Sequence, residues 1–501
     1  MRTALATLLI LSWSGQSSKG LQEIYRERYA ARLQPMLCEA VRFRTEEGNT
    51  AAHEQQRRWI EQQARALGLD VRDQGPVTEV ELPGPAGAPV LGLVVHGDVQ
   101  PPGDGWTVPP FECTVKDGHV YGRGTADDKG PLVQALLALA TLRHDPRSRT
   151  HTLRLLVGSD EESANEDFAT YLKTHKAPDV TLVLDSEFPV VVGEKAWDAL
   201  ALTVADPYRS RGPSGAAWAI LDLKAGITPS IVPPDATARL RWRSKDRSGF
   251  TAALTALCPA APPAGYGCRA TADGGEAVLR TTGRAAHSGM NLEGGRNALV
   301  FLASLLTGKV EASGATDLLA FAALAGKDLH GGTLGLEQKD SLWGTYSVNV
   351  ATIEPAKTGG LTLTTNLRRI PPMTHQQVRA HLAERVQAFA RERGTRIEVG
   401  GFFGDEPFFV PPDAKLVRRL MAAYERATGE RATPAVAGGG TYAKRLPNAI
   451  AFGMWFPGKP YPGHDVDERV PVADLQRGVA VLLEALDDLA YSSPIADPLK
   501  K

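Results

Sequence analysis

The sequence predicts an α/β domain, built on a mixed, mostly parallel sheet flanked by helices and interrupted by an inserted α+β domain. Three observations carry this expectation. Short apolar runs at residues 90–95 (VLGLVV), 152–157 (TLRLLV) and 180–184 (VTLVL) read as buried strands, and a helical segment falls between the first two. After Trp197 the pattern changes to half-exposed strands and amphipathic helices. From about residue 405 it returns to helix and apolar strand. The simplest topology is one domain made of residues 21–198 and 405–492, with a lid of residues 199–404 inserted into it.

Each element has its own signal. Residues 21–43 read as one amphipathic helix, because Leu21, Ile24, Tyr25, Leu33, Met36 and Leu37 recur near helical spacing. Residues 131–142 read as a helix with Pro131 in its first turn. In the inserted part, strands are expected at 199–204, 217–223, 237–242 and 396–399, and helices at 297–306 and 375–393. No fixed-period repeat and no low-complexity segment interrupts this order.

Composition narrows the class. Of 501 residues, 43% are hydrophobic and 23% charged, which excludes a disordered chain and a small disulfide-stapled domain. Lys and Arg number 56 against 57 Asp and Glu, so no global field draws nucleic acid or acidic lipid. At the N-terminus, Arg2 precedes a ten-residue apolar run at 4–13 and then Ser14, Gly15, Ser17 and Ser18. This reads as a signal peptide over residues 1–18, too short to span a bilayer, and implies a secreted or periplasmic protein. The plainer alternative is the first turns of a core helix. The four cysteines are Cys38, Cys113, Cys258 and Cys268. Export would let disulfides persist, and Cys258 and Cys268 could bridge a loop or stay as thiols. No CxxC spacing occurs, which argues against a thiolate zinc site.

The chemistry lies at strand ends. The first apolar strand runs into His96-Gly97-Asp98, the second into Asp160-Glu161-Glu162, the third into Asp185-Ser186-Glu187. Ligands of open α/β sheets bind at the carboxyl ends of the strands, so these three segments should share a crevice. A fourth acidic cluster, Asp127-Asp128, precedes a helix, and His464 sits in Pro462-Gly463-His464-Asp465. Taken singly, each has a bland reading: a hydrogen-bonded His–Asp pair, a solvated acidic run, a helix cap, a solvent-facing loop histidine. Together, two histidines and three carboxylates suit a two-zinc cluster.

These residues carry a resemblance. The stretch HGDVQPPGDGWTVPPFECTVKDGHVYGRGTADDKGP resembles the signature of the aminoacylase, carnosinase and carboxypeptidase G group of two-zinc metallopeptidases, family 20, and within it the bacterial V-type dipeptidases. SDEES, LDSEFPVVVGEK, GRAAHSG, NLRRIP and GGGTYAKRL match in the family's order between about 90 and 470. The resemblance implies that His96 and Asp185 hold one zinc, Glu162 and His464 the other, and Asp127 both, with manganese or cobalt as alternative ions. It implies that Asp98 hydrogen-bonds the His96 imidazole, that Glu161 is the general base, and that the Asp127–Asp128 peptide is cis. It further implies that His287 stabilises the oxyanion. Arg368 would receive the substrate's C-terminal carboxylate, helped by Gly439, Gly440 and Thr441.

One position departs from the V-type pattern: Ser230 stands where those enzymes carry Asn, which puts that substrate contact in doubt. The resemblance implies a dipeptidase acting on short peptides. It also implies a monomer, since the lid is large enough to mimic the second subunit of dimeric relatives, and no nucleic-acid or membrane partner once the signal is removed. An N-acyl amino-acid amidohydrolase with the same metals is the alternative. A catalytically silent metal-binding protein is remote, because the whole ligand set and Glu161 are present.

Overall fold

The computed structural model describes residues 20–500, apart from 213, 214, 245, 358, 460 and 462. The expected signal segment, residues 1–18, lies outside them. The chain divides into two compact units, the first formed by the chain up to Glu194 and from Phe408 onward, the second by Lys195–Pro407.

The first unit is built on a nine-stranded mixed sheet. Its middle is parallel: Thr152–Gly158, Val90–His96, Val180–Val183 and Ala449–Ala451 lie side by side in that order. Antiparallel strands extend it on both sides, Thr78–Leu82 and Asp70–Asp73 beyond the first, Val191–Glu194 and Phe408–Phe409 beyond the last. Ala435–Ala437 pairs in parallel with Val191–Glu194. The register sets His96 opposite Gly158 and Val94 opposite Val183. Three strand ends are thereby brought to one edge, where the chain leaves the sheet into its acidic segments.

The central strands read as continuous apolar runs because both faces are covered. The helix Lys129–Arg143 (KGPLVQALLALATLR) is buried from Lys129 to Leu142, and packs with Val472–Ala490 and Ala30–Val41 around a core that includes Leu93, Leu136, Leu155, Leu182 and Leu482. The single helix expected over 21–43 is two: residues 20–28 are helical, the backbone leaves helical geometry at Tyr29 (φ −128°, ψ −24°), and Ala30–Val41 follows. Pro35 lies inside the second segment, where it has no N–H for the carbonyl four residues back. Cys38 and Cys113 form one disulfide, Cys258 and Cys268 a second. The first pair, 75 residues apart in sequence, had no local signal.

The second unit is α+β. Eight antiparallel strands run in the order Gly267–Asp273, Glu276–Thr282, Asp235–Trp242, Trp218–Ala225, Ser347–Pro355, Leu361–Arg369, Ala196–Val204, Glu398–Gly404. Helices include Ala298–Leu306, capped by the Asn297 side chain, and His375–Glu392, which opens with a Thr374–Gln377 capping box. The strand expected at 396–399 begins at Glu398 and continues to Gly404, because pairing with Ala196–Val204 carries it through Gly400 and Gly401, where side-chain alternation gives no signal. Buried in this unit, the Arg369 guanidinium donates to Asp198, and to Glu406 and the Asp405 carbonyl.

Candidate metal centre

Asp127 is the middle of the site. Its Oδ1 lies 2.9 Å from His96 Nε2 and its Oδ2 3.2 Å from His464 Nε2. His464 Nε2 is also 2.7 Å from Glu162 Oε1, and His96 Nε2 is 3.9 Å from Asp185 Oδ2. The five side chains assigned to metal binding from the sequence therefore meet. Ligand atoms of His96, Asp127 and Glu162 lie within 4.8 Å of one another, as do those of His96, Asp128 and Asp185.

Local backbone holds each group. His96 ends its strand, and its N–H donates to Asp128 Oδ2 (3.0 Å). Asp128 occupies the N-cap position of the following helix without making a side-chain cap; its carboxylate turns to His96 instead. The Asp127–Asp128 peptide is cis. His464 adopts φ +65°, a left-handed conformation uncommon for residues other than Gly, which turns its ring toward Glu162 and Asp127. At Gly158 a Cβ would lie 2.3 Å from Tyr442 Oη and 2.6 Å from Asp167 Oδ2, so glycine lets these two approach behind the acidic segment.

The role expected of Asp98 is shared between two of its groups. His96 Nδ1 is 3.0 Å from the Asp98 carbonyl and 3.4 Å from its carboxylate. That carboxylate chiefly accepts the N–H groups of Glu161 (3.2 Å) and Glu162 (2.9 Å). It thus links the first strand end to the second. Two further groups had no signal in the sequence. Tyr461 donates its hydroxyl to Asp127 Oδ2. Gln100 Nε2 donates to the carbonyl of Glu162 (2.8 Å) and to its Oε2 (3.2 Å).

The electrostatics follow from crowding. Burial raises the Glu161 carboxyl well above its ordinary range, and the Asp185 charge raises it further. Burial and then Asp128 and Asp127 do the same to Asp185. Burial alone would depress His96, but Asp127 and Asp98 outweigh it and hold the ring well above 6.5. Asp127 is pushed up by burial, yet His464 and His96 take it well below 3.8. Carboxylates packed this closely favour any positive charge placed among them. Asp128 Oδ1 is buried without a hydrogen-bond partner. Two imidazole nitrogens, several carboxylates and an unsatisfied buried oxygen fit a divalent-cation site.

Thr441 departs from its expected role: its N–H (3.1 Å) and hydroxyl (2.6 Å) both donate to buried Glu194. In the second unit, His287 Nδ1 accepts from the N–H groups of Gly289 (3.3 Å) and Met290 (3.1 Å). Arg368 Nη2 lies 3.4 Å from His287 Nε2 and donates to Ser230 Oγ (3.1 Å) and Ser288 Oγ (3.2 Å). Ser230 Oγ also accepts from Trp197 Nε1 (3.0 Å). The buried Arg368 guanidinium suits an anionic ligand.

The chain belongs to peptidase family M20/M25/M40, whose model matches residues 92–488. It is a hydrolase of the peptidase class. It is 29% identical over 407 residues to "Putative dipeptidase YtjP" of Bacillus subtilis, covering 81% of this chain and 84% of that protein. It is 27% identical over 404 residues to "Putative dipeptidase SH1171" of Staphylococcus haemolyticus, covering 80% and 83%. Among solved structures, human carnosine dipeptidase 1 shares the fold at a TM-score of 0.57 and 15% identity, over 94% of this chain and 98% of that one. The di-peptidase Dug1p from Saccharomyces cerevisiae does so at 0.58 and 13%, over the same shares.

Proposed function

We propose that the protein is a metal-dependent dipeptidase that hydrolyses the peptide bond of short peptides bearing a free C-terminal carboxylate. The observation that carries this reading is the placement of Asp127 between two imidazoles, with Glu162 and Asp185 on either side and Glu161 beside them. His96 and Asp185 would hold one zinc ion, Glu162 and His464 a second, and Asp127 would contact both, with manganese or cobalt as alternative ions. When bound, such ions lower the pKa of a water and polarise the scissile carbonyl. Asp128, buried beside His96 and Asp185, belongs to the same shell.

The chain's own groups do the rest. Glu161 takes a proton from the attacking water and returns it to the leaving amine. Asp98 holds the backbone on which Glu161 and Glu162 sit. His287 donates to the developing oxyanion. Arg368 binds the substrate's carboxylate, and Ser230, through its contact with Nη2, orients the guanidinium. The two disulfides support an exported protein, and the size of the inserted unit supports a monomer.

The test is a panel of dipeptides against N-acetyl amino acids, assayed on the zinc-loaded full chain. Hydrolysis of dipeptides with free carboxylates supports the reading. Preference for N-acetyl amino acids would make the protein a deacylase.

A further inference from the structure

Glu468 lies four positions after His464 and is fully buried. A carboxylate in that environment needs partners, and among the described residues the hydrogen bonds to Glu468's carboxylate come from one short loop. Oε2 accepts from Arg123 Nη1 (2.8 Å) and from the Gly124 N–H (3.0 Å). Oε1 accepts from the N–H groups of Ala126 (2.9 Å) and Asp127 (3.2 Å). The Glu468 carbonyl accepts the Gly122 N–H (2.9 Å), and Arg123 Nη2 reaches the His464 carbonyl at 3.4 Å. Gly124 sits at φ +88°, where a Cβ would press on Lys129 Cδ at 2.9 Å and Val99 Cγ1 at 3.0 Å.

This geometry joins two distant pieces of chain. One carries Asp127, the other His464, and the distance of Asp127 Oδ2 from His464 Nε2 depends on how they are fastened. The Asp127 N–H is itself one of the fastenings. We propose that Glu468 is a positioning residue. It ties the 122–127 loop to the His464 segment, so that the two Asp127 oxygens face different imidazoles and can serve two ions. It acts through Asp127 and touches neither ion nor substrate. The proposal rests on the metal reading above.

The consequence is specific. Glu468→Asp keeps the charge for Arg123 but withdraws the carboxylate from Ala126 and Asp127 by one methylene. Glu468→Gln removes the charge and sets an NH2 group against donors. Outer partners of metal ligands typically contribute about 10–100-fold in affinity. The experiment is competition of the full chain against a chromogenic chelator with zinc alone. Thermal midpoints of the metal-free proteins are read in parallel, and Asp317→Asn, a buried ion-pair change in the second unit, serves as the control for general destabilisation.

Glu468→Asp is expected to weaken zinc binding about 10-fold or more while its metal-free midpoint falls no further than that of Asp317→Asn. At saturating zinc, kcat should fall with KM little changed. Zinc affinity within about twofold of wild type would overturn the proposal, whatever the midpoint does. If Glu468→Gln does not fold, Glu468→Asp alone decides. A wild-type chain that binds no zinc removes the metal reading and this inference together, whereas a zinc-binding wild type with an unaffected variant removes only the inference.

Discussion

Replacing Asp98 by Asn removes one charge and one acceptor from the junction of two strand ends. In the native arrangement Oδ2 accepts the Glu162 N–H at 2.9 Å, while Oδ1 accepts the Glu161 N–H at 3.2 Å and stands 3.4 Å from His96 Nδ1. An amide has one acceptor oxygen, so whichever way it turns, one backbone N–H faces an NH2 group. The loss is one charge-assisted hydrogen bond next to an unsatisfied donor, about 1.5–3 kcal/mol. Because the affected backbone carries Glu162, the loss should be read in metal binding as about 10–100-fold weaker zinc affinity. The assay is chelator competition on the full chain, with the metal-free thermal midpoint as companion. Unchanged zinc affinity alongside an unchanged midpoint would show that neither the ligand backbone nor the His96 contact depends on the charge.

Three other outcomes follow from the same geometry. Glu161→Gln should keep its zinc and lose turnover by about 10²–10⁴-fold; metal analysis with steady-state rates checks both halves, and full activity would reject the base. Arg368→Ala should raise KM for free-carboxylate dipeptides by about 10–100-fold, the value of a lost charge-assisted pair, while C-terminally amidated peptides change little; equal loss on both would count against the carboxylate role. Asp317, between Arg211 and Arg393, is pushed up by burial but held below 3.8 on balance by Arg211, Thr395 and Arg393. Its folded pKa is depressed, so its stabilisation is complete above the unfolded value near 4 and is lost as pH falls through the folded one. The urea midpoints of wild type and Asp317→Asn should therefore converge in acid, and a gap independent of pH would contradict this.

How much was legible depended on whether a residue's signal was local. The strands at 90–95, 152–157 and 180–184 announce themselves because burial on both faces leaves a continuous apolar run. Their carboxyl ends then mark His96, Glu162 and Asp185 as neighbours without any coordinates. Asp128 was hidden by ambiguity: an acidic residue before a helix reads as a cap, and only the structure shows its carboxylate turned to the His96 N–H. Glu468 was hidden within an acidic run, HDVDER, that reads as solvated surface. Tyr461 and Gln100 make contacts across several hundred and about 60 positions respectively, which no periodicity encodes. Thr441 shows the opposite failure. A Gly-rich loop suggested donors for a ligand, but a buried strand carboxylate, Glu194, takes the two that Thr441 carries. In the inserted unit, Ser347–Pro355 and Leu361–Arg369 are central strands that the sequence analysis did not single out; together with Ala196–Val204 they hold Arg368 and Trp197 in cross-strand register.

The most direct measurement is a zinc titration of the metal-free full chain, with bound zinc and dipeptide hydrolysis followed in the same samples. No hydrolysis is expected without metal and full activity at about two zinc ions per chain, with His464→Ala losing one of the two. Hydrolysis that survives exhaustive chelation, or a chain that takes up no zinc, would contradict this.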